Sequence, residues 1–342
     1  MSAGLIWAAR TEANLGDWQR VGWAMPAYEQ SGNAGSPLAL LFPGQGTQHI
    51  GMGNEVCDSS PATKQVWDCA SDIAGFDVRR LCLKGPMPKL DKTEYQQVAV
   101  TTVNIASLVA LREQIEVGEL AVAGHSVGEF SALYAAGVLE LQDVFRAVAA
   151  RGRIMQKLAE QTDGVMYAIK GIDREAIAEL IAAHELGDGI TVANDNSPRQ
   201  QVISGYKASL RELLPALLAA GYEQVKLPVN GAWHSSLMLL GREEFQAVID
   251  GLTFHAPRLP VYSNQAAAPA ASLAQLREDL VSNLYSTVRW RETILALAGA
   301  GFGRFLEVGP KKVLGRLLLD FELQPAPQAR HVSDLLAPAL AE

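Results

Sequence analysis

The apolar positions of this chain fall into short continuous bursts separated by longer stretches with helical spacing. Leu38-Ala39-Leu40-Leu41-Phe42 is an unbroken apolar run halted by Pro43-Gly44, the pattern of a strand buried on both faces. Val100 to Leu111 has helical composition. Leu120-Ala121-Val122-Ala123-Gly124-His125 reads as a second short strand, and Val127 opens a helix directly after it. Leu141 to Leu158 predicts a further helix carrying Arg151 and Arg153. Strand, sharp turn and helix together lift a residue out of the carboxyl edge of a parallel sheet.

The rhythm then changes. Strands are predicted at Gly164–Ile169, Ile190–Ala193, Gln200–Ser204 and Tyr222–Leu227, with helices at Arg174–His184 and Ala208–Ala220. This βαββαβ order is the ferredoxin-like motif. Beyond Asn230 the α/β pattern resumes, with strands at Pro260–Ser263 and Phe305–Val308 and a helix at Leu273–Asn283. The expected fold class is therefore α/β: a larger, α/β-hydrolase-like domain around a parallel sheet, carrying an inserted ferredoxin-like subdomain. Residues 37–160 and 232–342 form the first, and residues 161–231 the second. Residues 1–36 read as an extension in which Trp7, Trp18 and Trp23 sit among polar residues, closed by the linker Ser31-Gly32-Asn33-Ala34-Gly35-Ser36.

Composition narrows the function classes. The chain has 342 residues, 49% apolar and 19% charged, which is a globular balance. The formal net charge of −8 argues against nucleic acid as a partner, because phosphate binding needs a basic surface. No apolar run approaches the ~18 residues that span a bilayer. The N-terminus lacks the basic start and apolar core of a signal peptide, so no membrane partner and a cytoplasmic location are expected. Cys57, Cys69 and Cys82 form no C-x-x-C pair, so reduced thiols are expected rather than a disulfide framework or a metal site, and no cofactor is implied.

Three segments carry candidate chemistry. Gly124-His125-Ser126-Val127-Gly128 is a Gly-x-Ser-x-Gly motif at the strand-to-helix turn, where a serine is exposed and main-chain N–H groups can stabilise an oxyanion. Phe42-Pro43-Gly44-Gln45-Gly46-Thr47-Gln48 is glycine-rich but has neither a Walker nor a dinucleotide spacing. Instead, the N–H of Gln45, between two glycines, is free to approach a substrate oxygen. In Asn230-Gly231-Ala232-Trp233-His234-Ser235, His234 is the natural base for a serine.

With these motifs, the sequence resembles the malonyl-CoA:acyl carrier protein transacylases and the acyltransferase domains of fatty acid and polyketide synthases. The resemblance extends through Ala150-Arg151-Gly152-Arg153-Ile154-Met155-Gln156, Asn196-Ser197-Pro198-Arg199-Gln200, Leu284-Tyr285 with Val288-Arg289-Trp290, and Glu307-Val308-Gly309-Pro310. It runs in the family's order from about residue 38 to 320. It implies Ser126 as nucleophile, His234 as its base, and the N–H groups of Gln45 and Val127 as the oxyanion hole. Arg151 would hold the free carboxylate of a malonyl or substituted malonyl group, with Arg153 on the surface. Gln97 would line the pocket, and the main-chain carbonyl at Asn283 would orient His234 in a Ser-His dyad.

The implied substrates are an acyl-CoA and the phosphopantetheine thiol of an acyl carrier protein. Lys311, Lys312 and Arg316 are candidates for docking that acidic partner. Three positions depart from the family pattern: Trp233 stands where phenylalanine is commoner, Thr287 where proline is, and Lys311 where glycine is. The larger indole could narrow the acyl pocket. The alternatives are a hydrolase of the same family that clears carrier-bound acyl groups, for which Arg151 would have no use, and a malonyl-charging subunit of a malonate decarboxylase, with the same chemistry in a different complex.

Overall fold

The computed structural model describes residues 37–114 and 118–336; the extension 1–36 with its three tryptophans lies outside the described residues. Two sheets organise the chain. The first is five-stranded and parallel throughout, with β1 (Leu38–Phe42), β2 (Glu119–Gly124), β7 (Val261–Tyr262), β8 (Arg304–Glu307) and β9 (Gln328–His331) in the order β7-β2-β1-β8-β9. The second is four-stranded and antiparallel. Its strands are β3 (Gly164–Lys170), β4 (Ile190–Ser197), β5 (Gln200–Tyr206) and β6 (Glu223–Lys226), in the order β4-β5-β3-β6. Renumbered within the segment this is 2-3-1-4, the ferredoxin-like arrangement that the βαββαβ pattern predicts.

Helices α1 (Pro61–Ala74), α2 (Val78–Lys84), α3 (Met87–Leu90) and α4 (Thr93–Gln114) lie between β1 and β2. Helices α5 (Gly128–Ala135) and α6 (Leu141–Gln161) follow β2, and α7 (Arg174–Ala183) and α8 (Lys207–Ala219) belong to the second sheet. Helices α9 (Arg242–Asp250), α10 (Leu273–Ser282), α11 (Trp290–Gly299) and α12 (Leu314–Leu317) complete the chain.

The central strand β1 explains the layering. All five of its residues are buried, and their alternation divides them between two cores. Leu38, Leu40 and Phe42 join the large core with Val103, Phe130 and Val148 from α4, α5 and α6. Ala39 and Leu41 face the opposite side, against Ile294 and Leu297 of α11 and Leu314 of α12. A parallel sheet needs helices on both faces, and an apolar residue at every position of β1 is how the sequence encodes that. The small sheet has a third core, in which Ile169 and Ile203 meet Ile177 and Ile181 of α7 and Leu210, Leu213 and Leu217 of α8.

Three elements differ from the sequence expectation. Strand β4 runs on to Ser197, past Ala193, through a polar stretch. Those polar residues are buried and partnered: the Asp195 N–H donates to the Val288 carbonyl at 3.0 Å, and Gln201 donates to the Asp195 carboxylate at 3.0 Å. Helix α4 begins at Thr93 because its first turns, although polar, are also buried. Strand β9 is short and polar, with no apolar run to announce it. The three cysteines are free; Cys57 and Cys82 are buried and Cys69 is half-buried. Among the described residues no helix is long and apolar enough to cross a membrane.

Candidate active site

Strands β1 and β2 end side by side, with Phe42 opposite Gly124, so the loops that follow them share one edge of the sheet. The His125 N–H donates to the Phe42 carbonyl at 2.8 Å and holds the turn against β1. Ser126, the next residue, has φ +53°, a left-handed conformation that costs a non-glycine residue about 1 kcal/mol or more. The flanking glycines make this turn possible. A Cβ on Gly124 would sit 2.1 Å from the Gly128 carbonyl, and one on Gly128 would sit 2.1 Å from the Phe42 carbonyl. Gly44 likewise packs against the His125 carbonyl, which brings Gln45 beside the serine turn.

The Ser126 Oγ lies 2.8 Å from His234 Nε2, and both residues are buried. His234 also has a positive φ (57°), and its N–H donates to the Leu284 carbonyl at 3.2 Å. Burial, followed by the nearby Arg151 and His125, lowers the imidazole pKa to about 3, so the ring is neutral over the working pH range. The main-chain oxygens of Asn283 and Ser286 act in the opposite direction. They do so as weak hydrogen-bonding partners of the ring, although Nδ1 has no partner at full hydrogen-bond geometry.

Arg151 comes from α6 and is fully buried, whereas Arg153, two residues on, is exposed. Two residues turn a helix by about 200°, which separates these arginines onto opposite faces. The guanidinium partners are all neutral. Nη1 donates to Gln97 Oε1 at 2.7 Å, and Nη2 donates to Asn283 Oδ1 at 2.9 Å and reaches Ser126 Oγ at 3.4 Å. Nε has no partner. Burial lowers the Arg151 pKa to about 10, against the pull of Glu129. A buried cation held by neutral groups beside a serine hydroxyl has capacity left for an anion.

The other expected residues fall around this centre. Gln97 grips Arg151 with its oxygen and gives its amide N–H to Thr93 at 2.9 Å, so it positions the arginine. The Gln45 side chain is anchored on the same Thr93 hydroxyl at 2.8 Å. Trp233 is buried, and a Cβ on Gly231 would lie 2.4 Å from its indole and 2.9 Å from Ala159 of α6. Asn283 touches the centre with its side chain as well as its main chain. Lys311 reaches the Gln48 carbonyl at 3.1 Å and Lys312 pairs with Asp334 at 2.6 Å; both lysines and Arg316 are exposed. Thr287 donates to the Val192 carbonyl at 2.7 Å and ties the loop before α11 to the small sheet.

Sequence reasoning missed two residues beneath the dyad. Asn264, just past the end of β7, accepts the Ser126 N–H at 2.9 Å and donates to the Gly124 carbonyl at 2.6 Å, clamping the strained turn. Glu129, fully buried on α5, accepts from the Asn264 N–H at 3.1 Å and from Asn283 Nδ2 at 2.8 Å. Two signals in the sequence could have found them: a lone acid in an apolar helix, and a polar residue at the carboxyl end of a sheet strand. His125 makes a 2.8 Å bond from Nε2 to Asn196 of β4, across to the small sheet. A surface cavity of about 210 Å³ lies elsewhere, between Phe76, Lys89, Tyr95 and Arg153, and shares no residue with the dyad.

The acyl transferase domain family matches residues 39–333, most of the chain. This chain belongs to that family. The acyl transferase relatives include a malonyl CoA-acyl carrier protein transacylase of Haemophilus influenzae, 35% identical over 282 residues, covering 82% of this chain and 90% of that protein. Among solved structures, a malonyl-CoA:acyl carrier protein transacylase from Xanthomonas oryzae pv. oryzae is 36% identical with a TM-score of 0.83, covering 89% of this chain and 96% of that one. Another, a malonyl-transacylase in complex with its type II polyketide synthase acyl-carrier protein, is 33% identical with a TM-score of 0.83 and coverages of 88% and 99%. The α/β acyl transferase architecture, with its parallel sheet and small antiparallel sheet, is shared with these structures.

Proposed function

We propose that this protein moves a malonyl group from coenzyme A to the phosphopantetheine thiol of an acyl carrier protein through a malonyl ester on Ser126. The observation that carries this reading is Arg151: a fully buried guanidinium with only neutral partners, 3.4 Å from the Ser126 hydroxyl. The malonyl carboxylate supplies an anion in direct contact, which an acetyl group cannot, whereas Glu129 acts on the guanidinium without a hydrogen bond to it. The relatives named as malonyl transacylases, and the solved complex of one with a carrier protein, support the same substrates.

In this reaction His234 Nε2 takes the Ser126 proton as Oγ attacks the thioester carbonyl carbon. The oxyanion is met by the N–H groups of Gln45 and Val127. In support of that role, neither N–H has an acceptor within the protein among the described residues. The C–S bond breaks, the protonated His234 gives its proton to the departing CoA thiolate, and malonyl-Ser126 remains. The carrier thiol then loses its proton to His234 and attacks the ester carbonyl; the C–O bond to Ser126 breaks and the departing Oγ takes the proton back from His234. Exclusion of water from the buried centre directs the ester to the thiol rather than to hydrolysis. Lys311, Lys312 and Arg316 are the proposed docking cations for the acidic carrier. In the same reading residues 161–231 form an inserted subdomain between the halves 37–160 and 232–342, supported by its separate core.

The test is to incubate the protein with malonyl-CoA and with acetyl-CoA, measure the mass added at Ser126, and then add a holo carrier protein. Preferential malonyl labelling that passes to the carrier faster than it hydrolyses is expected. Equal acetyl labelling would remove the role given to Arg151, and hydrolysis outpacing transfer would make the protein a hydrolase.

A further inference from the structure

We propose that Glu129 is a positioning residue whose acceptor-only carboxylate fixes the side-chain amide of Asn283 with its oxygen toward Arg151, and so sets the selectivity of Ser126 for carboxylated acyl groups. The inference rests on the reading that Arg151 binds the substrate carboxylate, and deepens it. Three distances carry it. Asn283 Nδ2 donates to Glu129 Oε2 at 2.8 Å, Asn283 Oδ1 accepts from Arg151 Nη2 at 2.9 Å, and Glu129 Oε1 accepts the Asn264 N–H at 3.1 Å. All four residues are buried, so water cannot substitute for a lost partner.

Polarity sets the orientation of the Asn283 amide. An amide side chain presents a donor on one side and an acceptor on the other. A neighbour that can only accept forces the NH₂ of Asn283 toward itself and the oxygen toward the guanidinium. A neighbour that donates at the same place turns the amide round, and the NH₂ then faces Arg151, which has nothing but donors. The arginine loses one of its two amide anchors and moves off its aim at the acyl group. The charged groups facing Glu129 are Arg151 from α6 and Asp279 from α10; Asp279 is itself held by the Ser263 hydroxyl at 2.5 Å. Burial raises the Glu129 pKa to about 8, against the bonds from Asn264 and Asn283, so the carboxylate is acceptor-only above that pH and gains a donor as pH falls through it.

Glu129→Gln isolates this effect. Its oxygen can still accept the Asn264 N–H, which preserves the clamp on the Ser126 turn, while its NH₂ confronts Asn283. The readout is the ratio of malonyl to acetyl loading on Ser126, which a general structural defect would leave in place. We expect that ratio to fall about tenfold or more, the worth of one charge-assisted hydrogen bond, through a raised KM for malonyl-CoA.

In the wild type, the malonyl KM should rise as pH falls through the Glu129 titration, and this dependence should vanish in Glu129→Gln. Asn283→Ala keeps the main chain, removes the relay, and should show the same loss of ratio and of pH dependence. It also serves as the test if Glu129→Gln does not fold. Combining the two substitutions should lower the ratio no further than Asn283→Ala alone. An unchanged ratio in Glu129→Gln, or a pH dependence that persists in Asn283→Ala, overturns the inference. Arg151→Ala separates the two levels. If it leaves the ratio intact, the carboxylate-binding role of Arg151 itself fails. If it collapses the ratio while both relay variants keep it, only the role of Glu129 fails.

Discussion

His234 makes the enzyme acid-sensitive in a way that can be measured without any substrate. Its folded pKa of about 3 lies below the ordinary 6.5, chiefly because the ring is buried. Between those two values the unfolded chain takes up a proton that the folded chain refuses. The stability owed to the neutral ring is therefore complete above pH 6.5 and is lost as pH falls, at about 1.4 kcal/mol per pH unit for a single group. The substitution to make is His234→Gln, which keeps a polar side chain of similar length but cannot be protonated. Other buried groups, such as His125 and Glu129, titrate in both proteins and largely cancel in the difference. By pH 5 the wild type should have lost about 2 kcal/mol relative to the variant, from 1.5 units at that slope. Equilibrium urea unfolding of both proteins at pH 7, 6 and 5 reads the difference directly. Curves that fall in parallel would refute the depressed pKa, and with it the picture of a base that stays neutral and ready at any working pH.

Gly128→Ala would drive a methyl group to 2.1 Å from the Phe42 carbonyl; we expect a loss of about 1–3 kcal/mol in urea unfolding, together with slower Ser126 loading. Asn264→Ala releases the Ser126 N–H and the Gly124 carbonyl, and should lower kcat for acyl loading by about tenfold or more while changing KM little, as steady-state kinetics would register. Thr287→Val removes the hydroxyl bound to the Val192 carbonyl and should lower stability by about 1 kcal/mol in urea unfolding, with loading rates held close to those of the parent.

The sequence conveyed the architecture wherever a single physical pattern governed an element. Unbroken apolar runs located β1 and β2, because a parallel strand is buried on both faces. The βαββαβ alternation located the small sheet and, through it, the strand order. Where polar residues were buried and bonded to distant partners, the pattern failed. The far half of β4 is held by contacts to residues near 288 and 291, about a hundred positions away, and no local window contains them. The same distinction holds at the site. The motifs around Gln45, Ser126, Arg151 and His234 pointed to groups that the fold brings together beside one serine. Glu129 and Asn264 lay in plain view, one directly after the serine motif and one just past a strand end. Their importance depends on which atoms face each other across 135 residues, and that is a property of three dimensions alone.

The points where the chain departs into the small sheet and returns from it nearly touch: a Cβ on Gly164 would lie 2.7 Å from that of Ala232. The nucleophile is written before this detour and the base after it. In the order of translation, the serine turn and its oxyanion donors are therefore made while the imidazole is still to come. In the proposed reaction, a chain that stops short of His234 carries Ser126 without its base. The residues that hold the serine turn and Arg151 in place, Asn264 and Asn283, are written later still, so the arrangement around Ser126 is complete only after the chain has run well beyond the return from the detour.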